Sequence, residues 1–277
     1  MIDKSYISPM YRVCVLNWNG GNDLKECVDS IIINTYKNYK ITIIDNNSSD
    51  DSLSLLQEDI EVISLKENYG FSRGYNIGLQ QCIDNNDEYI ILLNFDTLVE
   101  STFIQDIENN IKESKSKCIY GVKILYNNKK DIIWYAGGEV QLKKGIISHI
   151  GIRNFEDRYI ENHETEYVTG CCMIMHKDIF SRLDGFDERF FMYNEDIDFC
   201  LRAKEKSIKC KFLANPRVFH KVSLSVGGNF SPKKISMKIK SGYLLYRKYY
   251  SFILAIVLLI LYFTRSCISF IIKKIRF

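Results

Sequence analysis

The sequence predicts an α/β protein on a largely parallel sheet, with its ligand site at the carboxyl ends of the strands. Three observations carry this expectation. Short apolar runs at 12–17, 40–45, 61–65 and 88–93 alternate with segments of helical apolar spacing. The polar stretches Asn17 to Gly21, Asp45 to Asp51 and Asn94 to Thr97 fall where those strands should end. With 277 residues, 46% hydrophobic and 13% aromatic, the chain suffices for one large domain, or one domain with a modest appendage.

The elements follow in order. "RVCVLN" is a buried strand running into the turn-former string "NWNGG", and Asn22 is a plausible N-cap for a helix whose Leu24, Cys27, Val28, Ile31 and Ile32 share a face. "KITIID" reads as a strand, "NNSSDD" as a loop, "SLSLLQ" as a short helix and "EVISL" as a further strand. "KENYGFSRGYNIG" connects into a helix through Ile83, and "EYIILL" is the fourth strand. Beyond residue 115 the alternation loosens. "CIYGVKIL" reads as a strand, "IIWYAGGEVQLKKGIISHIG" as strands around turns and "YVTGCCMIM" as another apolar run. Helical order returns in "NEDIDFCLRAKEK", with Asn194 as its cap, before two strands, "KCKFL" and "PRVFH".

Composition narrows the function classes. A formal charge of only +3, with acids interspersed among the bases, argues against a nucleic-acid binder. Nine cysteines, an odd number with no Cys-x-x-Cys pair, suit reduced and buried thiols in a cytosolic compartment. The opening "MIDKSYISPMYR" lacks the apolar core of a signal peptide. At the other end, "SFILAIVLLILYF" carries no charge, is extended by "TRSCISFII" across Arg265, and is flanked by Arg247, Lys248, Lys273, Lys274 and Arg276. A bilayer span needs about 20 apolar residues. The tail is therefore expected to attach to a membrane, spanning it or lying in its interface, with a buried terminal helix as the alternative.

The chemistry-bearing residues cluster at strand ends and one helix start. Asp96 is placed to meet a hard divalent cation, which prefers oxygen ligands and shares substrate phosphates; alternatively Asp96 or Thr97 caps a helix starting near Glu100. Glu195 and Asp196 lie at a loop-to-helix junction among Phe190, Phe191, Tyr193 and Phe199, where desolvation raises a carboxylate toward the range of a general base. The acids there, Asp198 above all, also suit a helix dipole. His220 ends a strand and is either structural or a ligand.

Together, "VLNWNG", "DNNSSD", "ENYGFSRGYNIG", "LLNFDT", "VTGCCMIMHKDIFSRLDGFDERFFMYNEDIDFCLRAK" and "RVFH", in this order, resemble the family 2 glycosyltransferases of the rhamnosyltransferase-like branch, over roughly residues 11 to 225. The resemblance implies a GT-A fold: a Rossmann-like mixed sheet flanked by helices, here with a C-terminal hydrophobic membrane-associating helix. It divides the chain into a GT-A domain at 1–230 (a nucleotide-sugar-binding half at 11–115, an acceptor and catalytic half at 116–230) and a basic-aromatic segment with the hydrophobic helix at 231–277. Carried over, Asp45 binds the nucleoside and Asn17 and Trp18 line the base pocket. Asn68, Arg73 and Asn76 lie beside the nucleotide and its phosphates, and Gly170 and Cys171 near the donor sugar. Asn94 and Asp96 match the D-x-D element, with Asp96 the ligand of Mg²⁺ or Mn²⁺. Asp196 is the implied catalytic base, with Glu195 second, and His220 completes the metal shell. Asn94 replaces the first acid of D-x-D, Phe95 stands where Pro is usual, and Lys221 is an alternative contact for the diphosphate.

The implied activity is an inverting, metal-dependent transfer of a sugar from a nucleotide-diphospho-sugar, of the dTDP-rhamnose or UDP-hexose type, to a hydroxyl of a glycan or lipid-linked glycan. The setting is surface polysaccharide biosynthesis at the cytoplasmic side of the cell membrane. A dehydrogenase would need a Gly-x-Gly-x-x-Gly after the first strand, which "NWNGGND" does not supply. A sugar nucleotidyltransferase, lacking here its glycine-rich basic loop, and an inactive membrane-tethered nucleotide-sugar-binding protein are the other readings.

Overall fold

The computed structural model describes residues 8–112, 117–222 and 232–275, with side chains up to 265. Cys267 and the basic flank of Lys273, Lys274 and Arg276 lie outside the described side chains, as do the first residues of the chain.

The regular first half follows from its apolar runs. Strands β1 (Tyr11–Asn17), β2 (Tyr39–Asp45), β3 (Glu61–Ser64) and β4 (Tyr89–Asn94) pair in parallel in the order β4-β1-β2-β3. β1 and β4 are buried on both faces, which is why they read as continuous apolar runs. Helix α1 (Gly21–Ile32) buries Leu24, Cys27, Val28 and Ile31, the expected face. Its start differs from expectation: Gly20 is the N-cap and Asn22 lies in the first turn, donating to Glu26 instead. The segment 52–57 makes only one short 3-10 turn over Ser52–Leu55. Helix α2 (Gly70–Cys82) buries Tyr75, Leu79 and Cys82.

A ten-stranded mixed sheet results from the second half joining the first. After β5 (Thr97–Val99) and helix α3 (Phe103–Ile111) come β6 (Ile119–Tyr126), β7 (Lys129–Tyr135), the hairpin β8 (Gly138–Gln141) and β9 (Ile146–His149), and β10 (His163–Thr165). Strand β11 (Cys172–His176) then enters antiparallel between β4 and β6 and carries the sheet across the two halves. Short α4 (Lys177–Arg182) and α5 (Glu195–Glu205) follow, and β12 (Cys210–His220) runs parallel to β6. "KCKFL" and "PRVFH", expected as separate strands, are one strand with an irregularity between Leu213 and Arg217, where Pro216 is tolerated. Beyond that bulge β12 also pairs with β5, His220 opposite Thr97.

The segment after residue 231 is no loose appendage. Helix α6 (Pro232–Tyr249) docks on α5: Lys248 Nζ lies 2.7 Å from Asp198 Oδ1 and 2.9 Å from Asp187 Oδ2, and the Tyr249 hydroxyl donates to Asp198 at 3.3 Å. Asp198 also accepts from Arg202 at 2.8 Å, so its place at the helix start is explained by a buried ion cluster as well as by the dipole. Helix α7 (Phe252–Ile275) turns back against α6, burying Ala255 and Leu258 beside Tyr246. It also crosses the β8–β9 hairpin so closely that a Cβ on Gly145, at φ +61°, would meet the Tyr262 nitrogen at 3.0 Å. Its other face presents Phe252, Ile253, Val257 and Ile260 to solvent. Among the described residues no helix is long and apolar enough to cross a membrane, so they do not carry the spanning form of the tail. The buried-helix alternative fails as well: one face is packed and the other bare.

Candidate active site

A cavity of about 820 Å³ opens at the carboxyl ends of β1, β2 and β4. Its walls bring together Asn17, Trp18, Asn68, Asn94, Asp96, Gly170, Cys171, Glu195, Asp196 and His220, drawn from both halves of the chain.

The wall at the end of β1 is held by amides. Asn17 is fully buried, its Nδ2 within 2.9 Å of Asp45 Oδ1 and 3.0 Å of both Ser48 Oγ and Ser52 Oγ. Its Oδ1 has no hydrogen-bond partner among the described residues. Asp45 sits one layer behind the cavity. Its Oδ1 accepts from Ser48 Oγ at 2.6 Å and its Oδ2 from the Ser48 amide at 3.1 Å, so it shapes the loop that the wall rests on. Asn46, not singled out in the sequence, is buried and ties that loop to the next: its Nδ2 donates to Asn68 Oδ1 at 3.1 Å and to the Gly70 carbonyl at 3.0 Å. At Gly70 the φ is +74° and a Cβ would meet the Phe191 carbonyl oxygen at 2.3 Å; only glycine lets the start of α2 touch the loop ahead of α5.

Arg73 and Asn76 do not line the cavity. They lie on the side of α2 that meets the 184–191 loop. The Asn76 amide bonds both the nitrogen and the carbonyl of Phe186, at 2.9 Å each, while Arg73 stacks 4.3 Å over Tyr69 and faces Glu188 at 3.7 Å. The helical spacing that puts these side chains on one face turns that face away from the strand ends.

Asp96 and His220 form the first polar corner. Asp96 occupies the turn between β4 and β5, and α3 begins only at Phe103 with Thr102 at its cap, so neither Asp96 nor Thr97 caps a helix. Thr97 instead closes the turn by donating to the Asn94 carbonyl at 2.6 Å. His220 Nε2 lies 3.3 Å from Asp96 Oδ2, both residues being 7% exposed. His220 Nδ1 has no hydrogen-bond partner among the described residues, and Trp134 meets the ring edge-on at 4.6 Å. One hard oxygen and one imidazole nitrogen, convergent and open to the cavity, fit a cation that takes its remaining ligands from substrate phosphates. Among the described residues no third His, Cys, Asp or Glu joins them. Lys221 does not compete: its ammonium is held 2.7 Å from both Asp23 and Glu26 on α1.

Glu195 and Asp196 form the second corner. Tyr193 and Asn194 precede them with φ of +72° and +63°, a strained pair that aims the start of α5 into the cavity. Asn194 does not cap α5 with its side chain but donates to Ser241 Oγ on α6 at 3.2 Å. Asp196 Oδ2 accepts from the Gly170 amide at 2.9 Å and Oδ1 from the Ile197 amide at 2.8 Å. Gly170 thus has a role as a donor to Asp196. Burial raises the Asp196 carboxyl, and these amides partly offset it. Glu195 is pushed well above the usual carboxylate range by burial and then by the Asp196 charge, and its Oε2 lacks a hydrogen-bond partner among the described residues. Of the two, Asp196 ionises first. The neighbouring Cys171 thiol is also raised, chiefly by burial, so it is no nucleophile at neutral pH.

The remaining wall escaped the sequence reading. Trp134, His149 and Tyr167 come from β7, β9 and the approach to β11, with Trp134 and His149 ring centroids 4.4 Å apart. Lys234 and Lys238 come from α6, and Tyr262 and Arg265 from α7. The clustering of Trp134, Tyr135 and His149 in sequence was the available signal for the aromatic wall; none marked the lysines.

Comparison with known proteins bears on this arrangement. The glycosyl transferase family 2 profile matches residues 12–184, and that described as the N-terminal domain of galactosyltransferase matches 150–222. The low-salt glycan biosynthesis hexosyltransferase Agl10 of Haloferax volcanii is 26% identical over 200 residues, covering 71% of this chain and 62% of its own. The Escherichia coli rhamnosyltransferase WbbL is 26% identical over 227 residues, covering 75% and 81%. The chain spans less than two thirds of the length of the first curated relatives it matches, 62%, 18% and 57% of three of them. Among solved structures, GalNAc-T7 with UDP, GalNAc and Mn²⁺ superposes with a TM-score of 0.63 at 17% identity, covering 83% of this chain and 48% of that one. Staphylococcus aureus TarS 1–349 with UDP-GlcNAc gives 0.57 at 16%, covering 87% and 72%. These two likenesses establish the GT-A-like fold.

Proposed function

Because the chain belongs to glycosyl transferase family 2, we propose that it is an inverting, metal-dependent glycosyltransferase that moves a hexosyl or rhamnosyl group from a nucleotide-diphospho-sugar to an acceptor hydroxyl. The observation that carries this is the meeting of Asp96 and His220 with Glu195 and Asp196 in one cavity, although the pairs lie at the ends of different elements.

In this reading Asn17 and Trp18 line the base pocket, with Asp45 supporting that wall from behind. Asp96 and His220 hold Mg²⁺ or Mn²⁺, which when bound neutralises charge developing on the diphosphate leaving group. Asp196 takes the proton of the acceptor hydroxyl as it attacks the anomeric carbon, the amides of Gly170 and Ile197 fixing its carboxylate. One displacement with no enzyme nucleophile inverts the anomeric centre. Glu195, protonated more readily, supports the base. The acceptor is a glycan or lipid-linked glycan in surface polysaccharide assembly, brought to the cytoplasmic side of the cell membrane by the bare apolar face of α7 lying in the interface. No role for nucleic acid is proposed.

The test is a panel of UDP-hexoses and dTDP-rhamnose, scored for hydrolysis or transfer with Mn²⁺, Mg²⁺ or EDTA. Activity with one donor, abolished by EDTA and by Asp96→Ala in a folded protein, is expected. Undiminished turnover in Asp96→Ala sinks the assignment.

A further inference from the structure

We propose that the acceptor side of the cavity binds a phosphate group between Lys234 and Lys238, making the acceptor a phosphate-bearing carrier and not a neutral sugar. The inference rests on the transferase reading above and adds to it the chemistry of the second substrate.

Lys234, Lys238, Ser241 and Leu245 follow one another at helical spacing along one face of α6. The lower part of that face is ordinary packing: Ser241 bonds the Tyr193 carbonyl, accepts from Asn194, and Leu245 is fully buried. The upper part is not. Lys234 is only 8% exposed and Lys238 places its ammonium 5.3 Å over the Tyr193 ring, both lining the cavity beside the start of α5. Neither position serves the helix. Cations near a helix N-terminus oppose its dipole, and like charges four residues apart repel. Burial and the charge of Lys234 lower the Lys238 ammonium from its ordinary value, so the pair sits at an electrostatic cost. A dianion between them removes that cost, and two compact ammonium groups suit a phosphate as point charges.

The charge balance of the cavity points the same way. Its described lining carries Arg153, Lys234, Lys238 and Arg265 against Asp96, Glu195 and Asp196. Asp96 is committed to the His220 corner, and burial holds Glu195 and Asp196 toward their neutral forms. A donor diphosphate with its divalent cation adds little net charge, so the excess of positive charge on the α6 and α7 side is left for another anion.

The full chain, loaded with Mn²⁺ and saturating UDP or dTDP, is titrated with decyl diphosphate, inorganic pyrophosphate and the neutral decyl maltoside. Decyl diphosphate is expected to bind, and the double variant Lys234→Gln/Lys238→Gln to bind it at least about tenfold more weakly with nucleotide affinity unchanged. Lys238→Arg, which keeps the charge, retains binding and guards against a folding artefact. Pyrophosphate binding as tightly as decyl diphosphate assigns a free phosphate compound or phosphorylated glycan; markedly tighter decyl diphosphate assigns a lipid carrier. Equal binding of decyl maltoside, unchanged binding in the double variant, or a loss that falls on the nucleotide overturns the proposal. Donor hydrolysis without acceptor reads the transferase assignment separately: its absence from wild type, with diphosphate binding intact, removes that assignment and leaves the anion site standing.

Discussion

The two carboxylate corners of the cavity, at Asp96 and at Asp196, are built in opposite ways. Asp96 ends a buried parallel strand and faces an imidazole 3.3 Å away, a partner suited to sharing a cation. Asp196 opens a helix after two left-handed residues, beside a second buried acid, and its only partners in hand are amides. The first corner is organised to hold charge and the second to change it. That difference is what separates a leaving-group site from a proton-transfer site.

Kinetics offer the sharpest way to break the contrast. Asp196→Asn should lower kcat by about 10²–10⁴ with nucleotide and Mn²⁺ affinity unchanged, since a base acts only as the hydroxyl attacks. Asp96→Ala should instead weaken Mn²⁺-dependent nucleotide binding, read by calorimetry with and without metal. The same profile in both variants would erase the distinction.

A smaller effect sharpens it. The folded pKa values of Glu195 and Asp196 are raised, so each contributes stability at low pH that is lost as pH rises through its folded value. Glu195→Gln is therefore expected to raise the melting temperature near pH 8 by about 2–4 °C, with the gain fading toward pH 4. The acid limb of kcat/KM should lie above the ordinary aspartate range and follow Asp196. A melting temperature that falls equally at both pH values would contradict the burial argument.

Least of all should Arg73 matter to the donor. It faces Tyr69 and Glu188 outside the cavity, so Arg73→Ala is expected to change donor KM by less than about twofold. A large rise in KM would restore the role implied by its place in the motif.

The strand runs, the α1 and α2 faces and the acids at the strand ends were legible because period and polarity are local properties. Asp96, Glu195, Asp196 and His220 stood out for the same reason: each is a charged or titratable group at the end of an apolar run. The tertiary structure decided what no local pattern encodes. It merged two expected strands into β12, whose bulge brings His220 opposite Thr97 and so beside Asp96. It turned Arg73 and Asn76 away from the site, although their motif is intact, because which face of α2 meets the cavity depends on what the other face packs against. And it placed Lys234 and Lys238 in the cavity wall: in sequence they are two bases in a basic segment, and only the docking of α6 on α5, through Asp198 and Lys248, brings them to the acids they face. Sequence specifies which residues can do chemistry; long-range packing selects the ones that meet.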